Sequence, residues 1–310
     1  MKYLRERARL VALIVLAVVT AYGLYQLFSG DWRAALAYWR GKGGILLVAV
    51  TMQAFDISLD CALWLWILRD FHIRPRRWNG PLIFMAGYAG LLLPLQLGRF
   101  LRSEELVRIG GGTLGEAVKS ELTLLFLSAV AAVAVLAGGI TCWLFHPAVA
   151  PLAVIIVIAG FLLTADWTFQ FLSDTPVSMP EHYWRRRKTV AIAVLAMNGW
   201  VLNGTSLYLV TRGLPGHFGY LQAVLTAPSN MLLGTATGLP GGIGAVEGFL
   251  GISLSWGEVP AEHLLLAVNA FRVVTFWLWI PIGWLAFTAA GRIPTAEGPA
   301  HQGKPLEDEE

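Results

Sequence analysis

The hydrophobic pattern of the chain consists of long apolar stretches separated by short runs of charged residues. An α-helix needs about 20 apolar residues to cross the hydrocarbon core of a bilayer. We predict full membrane spans at 10–28, 44–68, 120–145, 147–172, 189–212 and 262–288. Two further apolar segments, 81–98 and 220–245, contain proline and glycine and are predicted to be broken or re-entrant helical segments. The pattern therefore predicts an all-α polytopic membrane protein.

The composition strengthens this prediction and excludes several functions. Of the 310 residues, 56% are hydrophobic and only 14% are charged, whereas soluble domains are about one-quarter charged. Thirteen tryptophans, many near span ends, fit an interfacial aromatic belt. The net charge of +3 gives no indication of a nucleic-acid partner. The histidines lack metal-ligand spacing and there is no Walker loop, so we predict no metal, no cofactor and no ATP hydrolysis by this chain.

The distribution of Lys and Arg predicts the orientation. The N-terminus and the segments 69–77, 99–119 and 185–188 are basic, which is typical of the cytoplasmic side. These basic runs share one compartment only if 81–98 dips into the membrane and returns. The basic residues of 29–43 conflict mildly with this arrangement. We predict an inner-membrane protein with both termini in the cytoplasm and a polar, disordered C-terminal tail.

An internal repeat divides the chain into two halves. At an offset of 146 residues, Pro94 aligns with Pro240 and Gly98 with Gly244, and the order of spans and broken segments matches. Each half contains three full spans, an odd number, so the halves are predicted to have inverted topology. The alternative is that proline and glycine merely kink two ordinary spans. The predicted units are a basic N-terminus, a first half, a second half and a tail, at 1–9, 10–145, 146–291 and 292–310.

The second broken segment contains the most distinctive motif of the chain, Pro-Gly-Gly-Ile-Gly-Ala-Val-Glu, which ends at Glu247. Glycines expose backbone N–H groups and allow another backbone segment or a headgroup to approach closely. A carboxylate beside the apolar phase is unfavourable unless it is paired or hydrated. Glu247 therefore lines a pathway or pairs with a buried arginine; the alternative is a solvated surface turn. The motif residues are Pro240, Gly241, Gly242, Gly244 and Glu247.

The first broken segment is followed by two arginines. Arg99 and Arg102 are three residues apart, so they share a helix face just past the break. Guanidinium groups at this depth suit a phosphate, which they bind through paired hydrogen bonds. In the alternative, this stretch is an interfacial amphipathic helix with local pairs Glu104–Arg108 and Glu105–Arg108.

Further charges lie inside predicted spans. Asp56 and Asp60 are four residues apart on one helix face, Glu121 begins the span 120–145, and Arg272 lies within the last span. Such charges usually face a cavity or a partner. Glu247 or one of the aspartates is a plausible partner of Arg272, and a structural role is the alternative for each charge. Asp56 and Asp60 are also candidates for proton exchange during transport.

These motifs resemble the flippase-like family related to the transmembrane region of lysylphosphatidylglycerol synthase, over about 10–290. The resemblance lies in 93–102, in 240–247 and in Arg272, which matches an arginine in the family's last long span. One departure is that the family often has Glu-Arg after the first motif, where this chain has Glu121-Leu122.

The resemblance implies movement of a lipid or lipid-linked headgroup between leaflets. Family members are associated with aminoacylated phospholipids, polyprenyl-linked sugars and other envelope lipids. No soluble aminoacyl-transferase domain follows Arg292, so we do not expect this chain to synthesise lysyl-lipid.

We therefore predict a transporter of an anionic phospholipid or lipid-linked headgroup, without catalytic residues. The sequence does not predict an oligomeric state. The alternatives are a membrane-embedded headgroup-modifying enzyme and a non-catalytic scaffold for envelope-lipid biosynthesis. The predicted substrate-binding residues are Arg99, Arg102, Glu247, Arg272, Asp56, Asp60, Glu121, Gly241, Gly242 and Gly244. The predicted structural residues are Pro94, Gly98 and Pro240.

Overall fold

The computed structural model describes residues 39–76, 78–93, 98–172, 179 and 182–294. The predicted N-terminal segment 1–9, the span 10–28, Pro94 and the tail beyond residue 294 lie outside the described residues.

The described residues form α-helices joined by short 3₁₀ turns and loops. The helices are α1 (Gly43–Leu68), α2 (Asn79–Ala86), α3 (Gly98–Gly110), α4 (Leu114–Leu144), α5 (Ala150–Leu172), α6 (Arg187–Thr211), α7 (Tyr220–Ala236), α8 (Ala245–Trp256), α9 (Ala261–Arg272) and α10 (Trp279–Gly291). A π-helical turn, Val273–Trp277, joins α9 to α10.

Among the described residues, five helical stretches are long and apolar enough to cross a membrane, and they confirm five of the six predicted spans. They are Gly43–Phe71, Leu114–Leu144, Pro147–Trp167, Arg187–Thr211 and His263–Gly291.

The helix α4 begins six residues before its predicted start. Thr113 Oγ1 accepts a hydrogen bond from Glu116 N at 3.2 Å, and the Glu116 carboxylate accepts one from Thr113 N at 3.0 Å. This reciprocal cap starts the helix. The predicted start at residue 120 was therefore wrong, because the helix begins at this capping motif rather than at the start of the apolar stretch.

Both segments predicted to be broken are interrupted helices. In the first, α2 passes into a 3₁₀ turn, Gly87–Gly90, and α3 starts at Gly98. In the second, α7 is followed by a 3₁₀ turn, Pro240–Gly242, and then by α8. Neither segment is the continuous kinked span of the alternative interpretation.

A backbone contact closes the first break. A Cβ atom built on Gly98 would overlap the carbonyl group of Gly90, and one built on Gly90 would overlap the Cα atom of Gly98. The two backbone segments approach each other this closely only because neither glycine has a side chain.

The packing of the two halves is reciprocal. Helix α1 packs on α6, its counterpart in the repeat. Helix α2 and the Gly87–Gly90 turn of the first break pack on α10, while α7 of the second break packs on α4. Gly283 of α10 lies directly against the backbone of Tyr88 and Ala89. This exchange supports an internal repeat, and the inverted orientation of the halves stays a prediction.

One face of helix α3 is buried within the protein, and the position of this helix at the membrane interface stays a prediction. Arg102, Ser103, Glu105, Leu106 and Ile109 are all buried. The helix packs against α4 and against the Gly87–Gly90 turn, so Arg102 and Glu105 make contacts within the protein.

Of the two local pairs predicted for α3, the structure contains Glu105–Arg108, at 2.5 Å. The same Arg108 donates hydrogen bonds to the carbonyl oxygens of Ala290 and Ile293, at 2.6 and 2.7 Å. These carbonyls lie at the C-terminal end of α10, where a cation is favourable. Glu104 is exposed and forms no ion pair with Arg108, whose guanidinium is directed toward α10 instead.

Candidate functional site

A cavity of about 470 Å³ lies where α1, α4, α6 and the two broken segments meet. Its wall includes Leu239, which is 44% exposed, and the exposed Ala236, so the cavity is reached beside the second break. Its polar and charged lining residues include Gln53, Asp56, Asp60, Tyr88, Arg99, Asn203, Asn230 and Arg272. The cavity therefore brings four of the predicted charged residues together: Asp56, Asp60, Arg99 and Arg272.

Asp56 is held by an amide chain that connects α1 to α6. Gln53 Nε2 donates to Asp56 Oδ2 at 2.9 Å, and Asn203 Nδ2 donates to Gln53 Oε1 at 3.3 Å. The other carboxylate oxygen of Asp56 packs against Gly199, where a Cβ would collide with it. The Asp56 carboxylate is thereby oriented between two helices that form the cavity wall.

Arg99 is the arginine of the first break that reaches the cavity. Its side chain is half-buried and interacts electrostatically with Asp60, one helical turn beyond Asp56. Within the described part of the chain, Arg99 forms no ion pair at contact distance. Its guanidinium therefore retains hydrogen-bond donors for an anionic ligand.

Arg102, which we predicted to share a phosphate site with Arg99, lies behind the cavity wall. Its Nη2 is 2.6 Å from Glu121 Oε2, and the two side chains are only 3% and 2% exposed. Its guanidinium also lies 4.4 Å from the ring centroid of Phe84 and 5.5 Å from that of Trp64. Arg102 and Glu121 do not line the cavity, so the structure does not bring them together with Arg99 at one site, and their role as ligands stays a prediction. The Glu121-Leu122 departure from the family pattern does not prevent this ion pair.

Arg272 and Glu247 form an ion pair at the second break. Arg272 Nε lies 2.8 Å from Glu247 Oε1, and Arg272 Nη2 donates to Gly241 O at 3.0 Å. The second carboxylate oxygen of Glu247 accepts from Gly244 N at 2.6 Å. One carboxylate thus caps α8 and pairs with the arginine, and the interpretation of Glu247 as a solvated turn residue is wrong.

The glycines of the second break serve backbone geometry. Gly241 has φ 58°, and a Cβ there would lie 2.7 Å from the Phe276 ring. Gly242 N donates to Leu239 O at 2.9 Å, and Gly244 N is taken by Glu247. The N–H groups of Gly242 and Gly244 are therefore used within the protein. Gly241 and Gly242 line the cavity, so the approach of a headgroup to these glycines stays a prediction. Pro240 begins the 3₁₀ turn.

The sequence interpretation missed the uncharged polar residues of the site. Gln53, Asn203 and Asn230 lie inside apolar helices and line the cavity. Asn230 Oδ1 is buried and has no hydrogen-bond partner among the described residues. Amides within a span are a signal of the same kind as charges, because hydrocarbon cannot satisfy them. No three His, Cys, Asp or Glu side chains of the described residues group as metal ligands.

Comparison with known proteins identifies a family. The family model described as lysylphosphatidylglycerol synthase TM region matches residues 9–283, which include both breaks and Arg272. No curated protein matches the chain.

Proposed function

The chain belongs to the family of the lysylphosphatidylglycerol synthase TM region, and from this premise we propose that it moves the headgroup of an anionic phospholipid or lipid-linked compound between leaflets. Membership confirms the resemblance seen in the sequence. It establishes a membrane protein of this family, and the transport step is our proposal.

The observation that carries the proposal is the position of Arg99 in the cavity. Arg102 and Arg272 are each engaged by a glutamate, whereas Arg99 forms no ion pair with a described residue. A guanidinium binds phosphate through paired, charge-assisted hydrogen bonds. We infer that a substrate phosphate supplies the counter-charge for Arg99.

The rest of the lining suits the polar part of a lipid. Asp56, Asp60 and the amides of Asn203 and Asn230 offer acceptors for hydroxyl or ammonium groups. Transfer of a charged group through hydrocarbon is unfavourable by several kcal/mol, and a polar cavity at membrane depth lowers this barrier. Inverted halves would allow such a cavity to open toward either leaflet. The placement in the inner membrane with cytoplasmic termini is part of the same proposal.

The test is lipid exchange in liposomes. Purified protein is reconstituted with fluorescent phosphatidylglycerol, and the rate at which the label becomes accessible to an external quencher is measured. We expect Arg99→Gln to lower this rate about tenfold or more, because a hydrogen bond to a charged group contributes about 1.5–3 kcal/mol. Arg185→Gln, an exposed arginine outside the cavity, is the matched control and should exchange lipid at the wild-type rate.

An unchanged rate in Arg99→Gln, with folded protein, would contradict the proposal. Incubation of the same purified protein with lipid in detergent separates transport from headgroup modification. An enzyme would form product there, although detergent has no leaflets between which a lipid could move. A scaffold would leave the label inaccessible in wild type as well.

A further inference from the structure

A second cavity lies at the end of α1, in the loop that leads to α2. Its volume is about 590 Å³, and it shares no lining residue with the 470 Å³ cavity that contains Arg99. It is lined by Leu65, Arg69, Ile73, Arg74, Pro75, Arg76 and Gly80. Three arginines thus surround one small cavity.

The positive charge of these arginines is not neutralised by the nearest acid of the loop. Arg69, Arg74 and Arg76 are exposed, and none forms an ion pair with another described residue. Asp70 pairs instead with Lys188 at 2.6 Å, on the side of α6. Lys188 also donates to Trp66 O at 2.8 Å, which holds this pair in place.

The floor of the cavity is apolar. Leu65 and Pro75 are half-buried and Ile73 is 2% exposed. Gly80 lets the start of α2 lie against this floor, because a Cβ there would be 2.6 Å from Leu65 Cδ2. An apolar floor beneath exposed arginines matches an amphiphile better than a free ion.

The cavity also lies at the level expected for lipid headgroups. The helical stretch Gly43–Phe71 is a candidate span, so its C-terminal end reaches the bilayer surface. Trp78, two residues beyond Arg76, is 76% exposed, and exposed tryptophans are typical of the membrane interface. Basic pockets at this level bind anionic headgroups.

We propose that this cavity binds one anionic phospholipid of the surrounding leaflet, separately from the transported lipid. The phosphate contacts the guanidinium groups of Arg69, Arg74 and Arg76. The proximal acyl carbons cover Leu65, Ile73 and Pro75. The bound lipid anchors the α1–α2 loop at the bilayer surface, next to the start of the first broken segment.

The experiment compares full-length protein and variants by native mass spectrometry and thermal unfolding in detergent. Phosphatidylglycerol, phosphatidylcholine and inorganic phosphate are titrated separately. The variant is Arg74→Gln/Arg76→Gln; the control is Arg185→Gln/Arg187→Gln, which removes the same charge from exposed arginines of another loop. An exposed ion pair contributes at most about fivefold in affinity, so we expect the loss of two arginines to weaken phosphatidylglycerol binding by up to about 25-fold in the variant.

We expect phosphatidylglycerol, but not phosphatidylcholine, to be retained and to raise the melting temperature of wild type and control. Equal retention by the variant and the control would overturn the proposal. Equal stabilisation by inorganic phosphate would replace a lipid site with a free-anion site and would also overturn it. Lipid exchange through Arg99 is measured independently, so failure of one proposal does not imply failure of the other.

Discussion

An arginine–glutamate pair lies beside each of the two broken segments, but the positions of the arginine and the glutamate are exchanged between them. In the first, the arginine lies on the helix after the break and its glutamate lies on the long helix that follows, as Arg102–Glu121. In the second, the glutamate lies on the helix after the break and the arginine lies on the following helix, as Glu247–Arg272. Each arginine also packs on an aromatic ring, 4.4 Å from Phe84 or 4.0 Å from Phe276.

The two pairs differ in burial. Both partners of the first pair are almost completely buried. In the second pair Arg272 is 7% exposed and lines the cavity, and Glu247 is 30% exposed. A buried pair is difficult to separate, because either partner alone would remain as an uncompensated charge. The comparison indicates that the first pair is a fixed structural contact. Under the proposed function, a substrate phosphate in the cavity would compete with Glu247 for Arg272.

The largest effect is expected from breaking the buried pair. Arg102→Ala leaves the Glu121 carboxylate buried without a counter-charge, so the free energy of unfolding should fall by about 3–5 kcal/mol. Thermal unfolding in detergent measures this loss.

The double variant Arg102→Met/Glu121→Leu is the control, because removal of both charges avoids the uncompensated one. It should regain most of the lost stability. If Arg102→Ala were as stable as wild type, the assignment of this pair as a structural contact would be wrong.

An intermediate effect is expected where the two breaks carry glycines at matched positions. Gly98→Ala places a Cβ against the carbonyl of Gly90, and overpacking of this kind costs about 1–3 kcal/mol or more. Gly244→Ala meets open space, so only its backbone conformation, φ 87° and ψ −52°, disfavours alanine, by about 1–3 kcal/mol. Because the Cβ of Gly98→Ala collides with backbone, this variant should lose more melting temperature than Gly244→Ala. A larger decrease in Gly244→Ala would contradict the close contact at the first break.

The smallest loss of stability is expected at the accessible pair. Glu247→Gln retains an oxygen that accepts from Gly244 N, while Arg272 keeps its bond to Gly241 O and gains solvent from the cavity. We expect a loss of about 1–2 kcal/mol, clearly less than in Glu121→Gln, together with a changed rate of lipid exchange. Equal losses in the two glutamine variants, measured by thermal unfolding, would remove the distinction between the pairs.

Hydropathy and the positions of proline and glycine predicted five of the spans and both breaks correctly, because the bilayer constrains helix length and backbone hydrogen bonding directly. Which charges pair was not predictable for Arg102 and Glu121, since the contact exists only when α3 folds back on α4. The same folding buries α3, which its charged sequence alone presents as a surface helix.

The residues that line the cavity with Arg99 were predictable only in part. Asp56, Asp60, Arg99 and Arg272 attract attention because charges inside spans are rare. Gln53, Asn203 and Asn230 carry no charge, and their common location depends on how α1, α6 and α7 pack.

The most direct test of the central claim is the ratio of phosphatidylglycerol to phosphatidylcholine exchange rates in liposomes containing wild type, Arg99→Lys or Arg99→Gln. If Arg99 binds the phosphate of an anionic headgroup in the cavity, wild type should favour phosphatidylglycerol, Arg99→Lys should retain part of this preference, and Arg99→Gln should lose it while its melting temperature stays unchanged. The same preference in all three proteins would contradict the claim.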